Sequence, residues 1–177
     1  SNATLTPRRW SARHFGAAIA DRCFCERVLV IELAGLGDNV HLIPALQLLR
    51  EHWPGAELEA MVSDQNAPLF RLIPWIKHAW AYPWACRPGI AENLRWMARL
   101  RTRHYAVAIN TTGSDRSTFL TLGSGAGARV GRLPADGGPP GWRFAYNSIM
   151  NVPYYEEPMY VQKWKCLSGL GFVGQAP

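Results

Sequence analysis

Two polar loops carry the side chains best suited to chemistry, and the first of them contains a single carboxylate, Asp38. This loop has the sequence Ala34-Gly35-Leu36-Gly37-Asp38-Asn39. Glycines permit tight backbone turns and a helix start gathers free amides, so an anion or a polar sugar can dock at such a loop. The carboxylate suits two roles. As an N-cap it accepts backbone N–H bonds, and as a general base it takes a proton from a hydroxyl whose oxygen attacks an anomeric carbon.

The second polar loop, residues 111 to 117, contains Ser114, Asp115 and Arg116. Either Ser114 or Asp115 can cap the helix predicted to follow. Arg116 is either a solvated side chain or a grip for a carboxylate or phosphate, because its planar fork makes two parallel charge-assisted hydrogen bonds. Arg71, near a predicted helix end, is a further cation that can join such a patch or remain solvated.

Several kinds of site are disfavoured. A dinucleotide fingerprint, G-x-G-x-x-G, would need a glycine where Val40 stands, which argues against a nicotinamide or flavin site. The four cysteines form no C-x-x-C pairs, so we predict reduced thiols and no metal site. The arginines of residues 95 to 103 belong to no recognised binding module, so we predict no nucleic-acid partner.

The elements that must position both loops follow from the spacing of the apolar residues. Strands are predicted at residues 28–33, 58–62, 79–82, 106–109 and 128–131, and helices at 40–52, 66–72, 90–103 and 116–122. Alternation of strands and helices predicts a three-layer, Rossmann-like α/β fold with a mostly parallel sheet. In such folds ligands lie beyond the carboxyl ends of the strands, where both polar loops fall.

The chain has 177 residues, which suits one domain, and a net charge of +6, which favours anionic partners. It has no apolar run of the about 18 residues that a membrane-spanning helix needs, so we predict a soluble protein. After Ser1-Asn2-Ala3, a typical tag remnant, residues 4 to 26 can form an amphipathic helix that packs on the domain or lies on a membrane surface.

The first loop and its flanks resemble a known family. The segment VLVIELAGLGDNVHLIPAL, residues 28 to 46, is similar to the opening of glycosyltransferase family 9, the ADP-heptose lipopolysaccharide heptosyltransferases. The similarity continues through WPGAEL (53–58), YAVAIN (105–110), GSDRS (113–117) and GAGARVG (125–131), and covers about residues 27 to 171.

The resemblance implies the amino-terminal half of a GT-B enzyme, in which two Rossmann-like domains face a cleft. It also implies inversion at the transferred sugar and no metal requirement. Asp38 matches the family's proposed catalytic aspartate. We then expect seven residues to contact the acceptor or to shape its binding site: Gly35, Gly37, Asn39, Arg71, Ser114, Asp115 and Arg116. The sequence departs from the family at Gly35, where a serine or another small residue is common, and at Glu32, where a basic residue is frequent.

The resemblance also predicts how the chain is organised. Residues 1–26 would be a tag remnant and extension, 27–171 the acceptor-side domain, and 172–177 the start of a linker or a tail. The donor, ADP-heptose or a similar nucleotide-sugar, would be bound mainly by a second domain, so we expect the chain alone to be inactive. The expected partner is a glycan or glycolipid acceptor, and the expected location is the cytoplasm, with contact at the cytoplasmic face of the inner membrane as an option. The alternative is a non-catalytic module that binds anionic glycans or lipid headgroups.

Overall fold

The structure, a computed structural model, describes residues 27–132, 138, 140–150, 156–168 and 170. Within this part, six parallel strands form one sheet in the order β3-β2-β1-β4-β5-β6. The strands are β1 (Arg27–Glu32), β2 (Glu57–Ser63), β3 (Ile76–Tyr82), β4 (Val107–Asn110), β5 (Ala128–Arg132) and β6 (Ser148–Met150). The predicted Rossmann-like α/β fold is confirmed.

Helices cover both faces of the sheet. They are α1 (Leu36–His52), α2 (Ala67–Arg71), α3 (Ile90–Arg101), α4 (Asp115–Gly123) and α5 (Met159–Ser168), with a 3₁₀ turn at Trp142–Ala145. Side chains of a strand alternate between the two faces. Val28 and Val30 therefore pack in the cluster with the apolar residues of α1, α2 and α5, whereas Leu29 and Ile31 pack with those of α3 and α4. The result is a three-layer structure with one apolar core on each face of the sheet.

The first helix begins earlier than its apolar spacing predicted. It starts at Leu36 rather than Val40, and Gly35 is the N-cap with an extended backbone, φ −62° and ψ 173°. Asp38 is therefore the third residue of the helix, and the prediction that it is the N-cap was wrong. Neither Gly35 nor Gly37 has a positive φ, so the turn itself does not require glycine at these positions.

Two further local features were not foreseen from the sequence. Asn66 stands at the N-cap of α2 but makes no capping bond. Its amide instead donates to the carbonyl of Ala34 at 3.1 Å, which ties the start of α2 to the loop after β1. Strand β6 was not predicted at all. The proposed segments 1–26 and 172–177, including the membrane-surface helix, lie outside the described residues, and no described helix has the length and apolarity to cross a membrane.

A buried carboxylate lies on the face covered by α3 and α4. Glu59 of β2 is fully buried and accepts hydrogen bonds from Arg103 Nε at 3.1 Å, Trp80 Nε1 at 2.9 Å and Tyr105 OH at 2.5 Å. Burial raises the pKa of Glu59, but these hydrogen bonds and the charge of Arg103 outweigh it and bring the pKa below its usual value. Arg103, which follows the end of α3, is thus part of a hydrogen-bonded network around a buried carboxylate.

Candidate active site

Asp38 lies in the first turn of α1, at the carboxyl edge of the sheet, with a side chain that is 30% exposed. Its Oδ1 atom is 3.2 Å from the ammonium nitrogen of Lys163, a residue of α5. The Lys163 side chain is only 2% exposed. A surface carboxylate is therefore held from behind by a buried cation that comes from the far end of the sequence.

Lys163 is itself held by a second carboxylate, that of Glu32. Glu32 is the last residue of β1 and, like Val28 and Val30, faces the α1 and α5 side of the sheet. It is fully buried and accepts hydrogen bonds from Thr111 Oγ1 at 2.6 Å and Thr112 Oγ1 at 3.1 Å. A buried charge is tolerable only when it is paired and hydrogen-bonded, and Glu32 meets both conditions.

We call Glu32, Asp38, Thr111, Thr112 and Lys163 the Lys163 cluster. One ammonium group lies between two carboxylates, and it also donates to the carbonyl of Thr111 at 3.4 Å. Of the two carboxylates, that of Asp38 reaches solvent and that of Glu32 does not. The cluster therefore presents one fixed carboxylate to a ligand and keeps its charge partners inside the protein.

The backbone before Asp38 is fixed by a buried amide. The side chain of Asn39 is inaccessible to solvent, and its Nδ2 donates to the carbonyls of Ala34 at 3.0 Å and Gly35 at 2.9 Å. Asn39 therefore shapes the loop from behind. Gly35 and Gly37 are exposed, and a Cβ added at either would meet no protein atom within 4 Å.

The second polar loop borders a cavity of about 280 Å³, lined by Trp84, Arg87, Ser114, Asp115 and Arg116. Three of the predicted acceptor residues are thus brought together. The Cζ atom of Arg116 lies 5.2 Å from the ring centre of Trp84, and its Nη1 donates to the Trp84 carbonyl at 3.4 Å. Arg116 is therefore positioned by contacts with Trp84 rather than being simply solvated.

The start of α4 fixes this cavity's wall. Ser114 is the N-cap and exchanges hydrogen bonds with Ser117, which confirms Ser114 rather than Asp115 as the cap. The loop before it is ordered by Asn110, whose Oδ1 accepts from the amides of Thr112 at 3.0 Å and Gly113 at 3.4 Å. Gly113 has a φ of 68°, a left-handed conformation that favours glycine.

Arg71 does not join the other predicted residues at the cavity, because it is exposed at the end of α2 and does not line it. Two residues of the site were missed from the sequence, Arg87 and Lys163. Arg87 has a φ of 47°, which no sequence pattern indicated. Lys163 could have been sought from Glu32, because a carboxylate at the end of an apolar strand needs a buried cation.

No group of three or more His, Cys, Asp or Glu side chains that could hold a metal ion occurs among the residues that the structure describes. The groups available to a ligand near Asp38 and in the cavity are the carboxylates of Asp38 and Asp115, backbone amides, guanidinium groups and an aromatic face. Such a set can accept a proton from a hydroxyl and bind an anionic group.

Comparison with known proteins identifies similar chains. Over 112 residues, 59% of this chain, the sequence is 26% identical to lipopolysaccharide heptosyltransferase 1 of Escherichia coli O18:K1:H7. A glycosyl transferase family 9 structure from Veillonella parvula superposes with a TM-score of 0.72 at 16% identity, covering 84% of this chain and 42% of that one. The E. coli heptosyltransferase WaaC, solved with ADP-2-deoxy-2-fluoro heptose, gives 0.68 at 19% identity, covering 85% and 50%. No family model matches the sequence.

These matches confirm the resemblance to glycosyltransferase family 9 and, with it, to enzymes that are glycosyltransferases. The resemblance extends over part of a longer protein, because the chain spans about a third of the length of the curated relative, 34%. It spans 42% of the Veillonella parvula chain and 50% of the WaaC chain. The described sheet accordingly corresponds to one portion of each larger enzyme.

Proposed function

We propose that this chain is the acceptor-side domain of a glycosyltransferase that moves a heptose-like sugar from a nucleotide-sugar to a lipopolysaccharide-core or related glycan. The observation that carries the proposal is the Asp38 carboxylate, which is partly exposed beyond the strand ends and is held in place by Lys163. The names of the similar proteins support the reaction class and, through the ADP-2-deoxy-2-fluoro heptose complex, ADP-heptose as the donor.

In the proposed reaction Asp38 acts as general base. An acceptor hydroxyl gives its proton to the Asp38 carboxylate while its oxygen bonds to the anomeric carbon. The bond from that carbon to the phosphate oxygen of the donor breaks, and the nucleotide leaves with the bonding electrons. Attack opposite the leaving group inverts the anomeric centre, and the proposed step uses no metal.

The cavity beside α4 is the proposed place for an anionic group of the acceptor. Arg87 and Arg116 both line it, and a guanidinium can bind a carboxylate or phosphate through two hydrogen bonds. Trp84 supplies a flat face and fixes the direction of Arg116. At about 280 Å³ the cavity is slightly smaller than the usual ligand site of about 300–1,000 Å³, which suits one sugar ring or one anionic substituent.

We propose that a second α/β domain binds most of the donor, because the chain covers only half of WaaC's length. Residues 1–177 alone are then expected to bind ADP negligibly and to transfer no sugar. The proposed location is the cytoplasm, with the acceptor's membrane reached peripherally at the cytoplasmic face of the inner membrane.

The complete protein that contains this chain tests the proposal. Incubated with ADP-heptose and a heptose-free lipopolysaccharide core, it should produce an acceptor heavier by one heptose in mass spectrometry. The two arginines of the cavity favour one rival, a module that binds anionic glycans without catalysis. Acceptor binding without transfer from any nucleotide-sugar would support that rival. Micromolar ADP binding by residues 1–177 in calorimetry would contradict the proposed division between two domains.

Gly35→Ala is expected to weaken acceptor binding without unfolding the protein, because the added methyl group would meet no protein atom within 4 Å and would stand in open space at an exposed position three residues before Asp38. Gly89→Ala is a matched control, since Gly89 is also an extended N-cap with open space around its Cβ position. Each change should cost a similar stability of less than about 1 kcal/mol. Thermal unfolding and acceptor titration measure the two effects, and equal acceptor affinities in the two variants would contradict contact at Gly35.

A further inference from the structure

We propose that Lys163 is a positioning residue for the reaction, which fixes the Asp38 carboxylate in the direction that the acceptor hydroxyl requires. This inference rests on the proposed function, because it gives Lys163 a role through Asp38. The ammonium group is 3.2 Å from Asp38 Oδ1. Since the Lys163 side chain is 2% exposed, it cannot itself be the group that meets the acceptor at the surface.

The position of Lys163 is determined by contacts on its other side. Glu32 forms an ion pair with it, and Glu32 is in turn fixed by the hydroxyls of Thr111 and Thr112. The backbone amide of Ala34 donates to the same carboxylate at 3.1 Å. The ammonium group is thus anchored to the carboxyl ends of β1 and β4 before it reaches Asp38, which lies on a different element.

The helix that carries Lys163 is also well anchored. Its neighbour Gln162 accepts a hydrogen bond from Arg132 of β5 at 2.9 Å, and Cys166 and Leu167 are buried. An anchored helix and an anchored ammonium group leave Asp38 few alternative directions, because turning away would leave a buried cation with one partner fewer. A displacement of about 1 Å at a reacting group can reduce a rate ~100-fold, so fixing this carboxylate is expected to affect kcat.

The competing explanation is that Lys163 only neutralises Glu32. The double variant Glu32→Gln, Lys163→Met separates the two explanations, because it removes the buried pair without leaving either charge alone. In the complete protein we expect this variant to fold and to show kcat lowered by ~100-fold, with KM for the acceptor nearly unchanged. Wild-type kcat in the double variant would overturn the proposal.

Two single variants complete the set. Lys163→Arg keeps a cation and should recover part of the lost kcat, whereas an arginine variant no better than the double variant would count against a charge held at Asp38. Lys165→Met is the matched control on the same helix, because Lys165 pairs with Glu157 at 2.6 Å and is not in the cluster. Its kcat should equal that of the wild type, and a loss as large as that of the double variant would also overturn the proposal.

A structural measurement keeps this inference separate from the proposed function. If the wild-type complete protein transfers no sugar, the proposed function fails whatever Lys163 does. Crystal structures of residues 1–177, wild type and double variant, then decide whether Lys163 positions Asp38. We expect the Asp38 carboxylate to adopt another side-chain rotamer in the double variant, and an unmoved carboxylate would overturn the positioning role.

Discussion

Asp38→Asn in the complete protein is expected to lower kcat by ~10²–10⁴-fold, the usual contribution of a general base. Asparagine has nearly the same shape and can still accept a hydrogen bond from Lys163, but its amide cannot take the acceptor's proton. Donor affinity should stay unchanged, because the donor is proposed to bind mainly to another domain. Steady-state kinetics with ADP-heptose and titration with ADP measure the two quantities.

Asp64→Asn is a suitable control for this substitution. Asp64 follows β2 at the same edge of the sheet and is exposed, but it belongs neither to the Lys163 cluster nor to the cavity. It should leave kcat unaltered. If Asp38→Asn retains wild-type kcat with an intact fold, Asp38 is only a residue of the first helical turn, where a negative charge stabilises the helix.

The sheet was predictable because its central strands are continuous apolar runs. Val28 to Ile31 and Val107 to Ile109 are buried on both sides, and such runs separated by amphipathic helices specify parallel neighbours. Strand β6 could not be predicted in the same way, since Ser148–Met150 has only three residues and all are half-buried. Its place is determined by parallel pairing with β5.

The candidate site was predictable only where local sequence determines it. The loop order places Asp38 and Ser114 beyond strand ends, and both lie there. The start of α1 was misjudged because the apolar spacing begins at Val40, whereas the helix begins at Leu36 with Gly35 as its N-cap. The interpretation of Asp38 as the cap was therefore wrong. The pairing of Glu32 with Lys163 spans 131 positions of the sequence, and no local pattern records it.

Glu32 and Glu59 obey the same rule on opposite faces of the sheet. Each is a fully buried carboxylate that accepts from at least one hydroxyl and pairs with one cation. They differ in what lies next to the cation. The ammonium group of Lys163 also pairs with the partly exposed carboxylate of Asp38. Arg103 is itself the exposed member of its pair, with a side chain that is 34% exposed. The Glu59 network is therefore expected to affect stability, and the Lys163 cluster to affect turnover as well.

Arg103→Met is expected to destabilise the fold by about 2–3 kcal/mol at neutral pH. Removing one partner of a fully buried pair costs about 3–5 kcal/mol, and the partial exposure of Arg103 places this case at or below the lower end. The cost arises because Glu59 stays buried without its cation. Chemical unfolding of residues 1–177 measures the loss, and Arg95→Met, an exposed position on α3, should change stability by less than about 0.5 kcal/mol.

The pairing of Arg103 with Glu59 also predicts how the loss of stability in Arg103→Met depends on pH. In the folded wild type the pKa of Glu59 lies below its usual value of 4.5, so its contribution to stability is complete above that value and disappears as the pH falls through the lower folded pKa. In Arg103→Met the lowering effect of the guanidinium is gone and burial still raises the pKa, so the variant suffers most where the carboxyl group is ionised. The difference in unfolding free energy between wild type and variant should therefore be largest near neutral pH and shrink below about pH 4.5. A difference that stays constant from neutral to acidic pH would mean that Arg103 stabilises the fold by packing and not through the charge of Glu59.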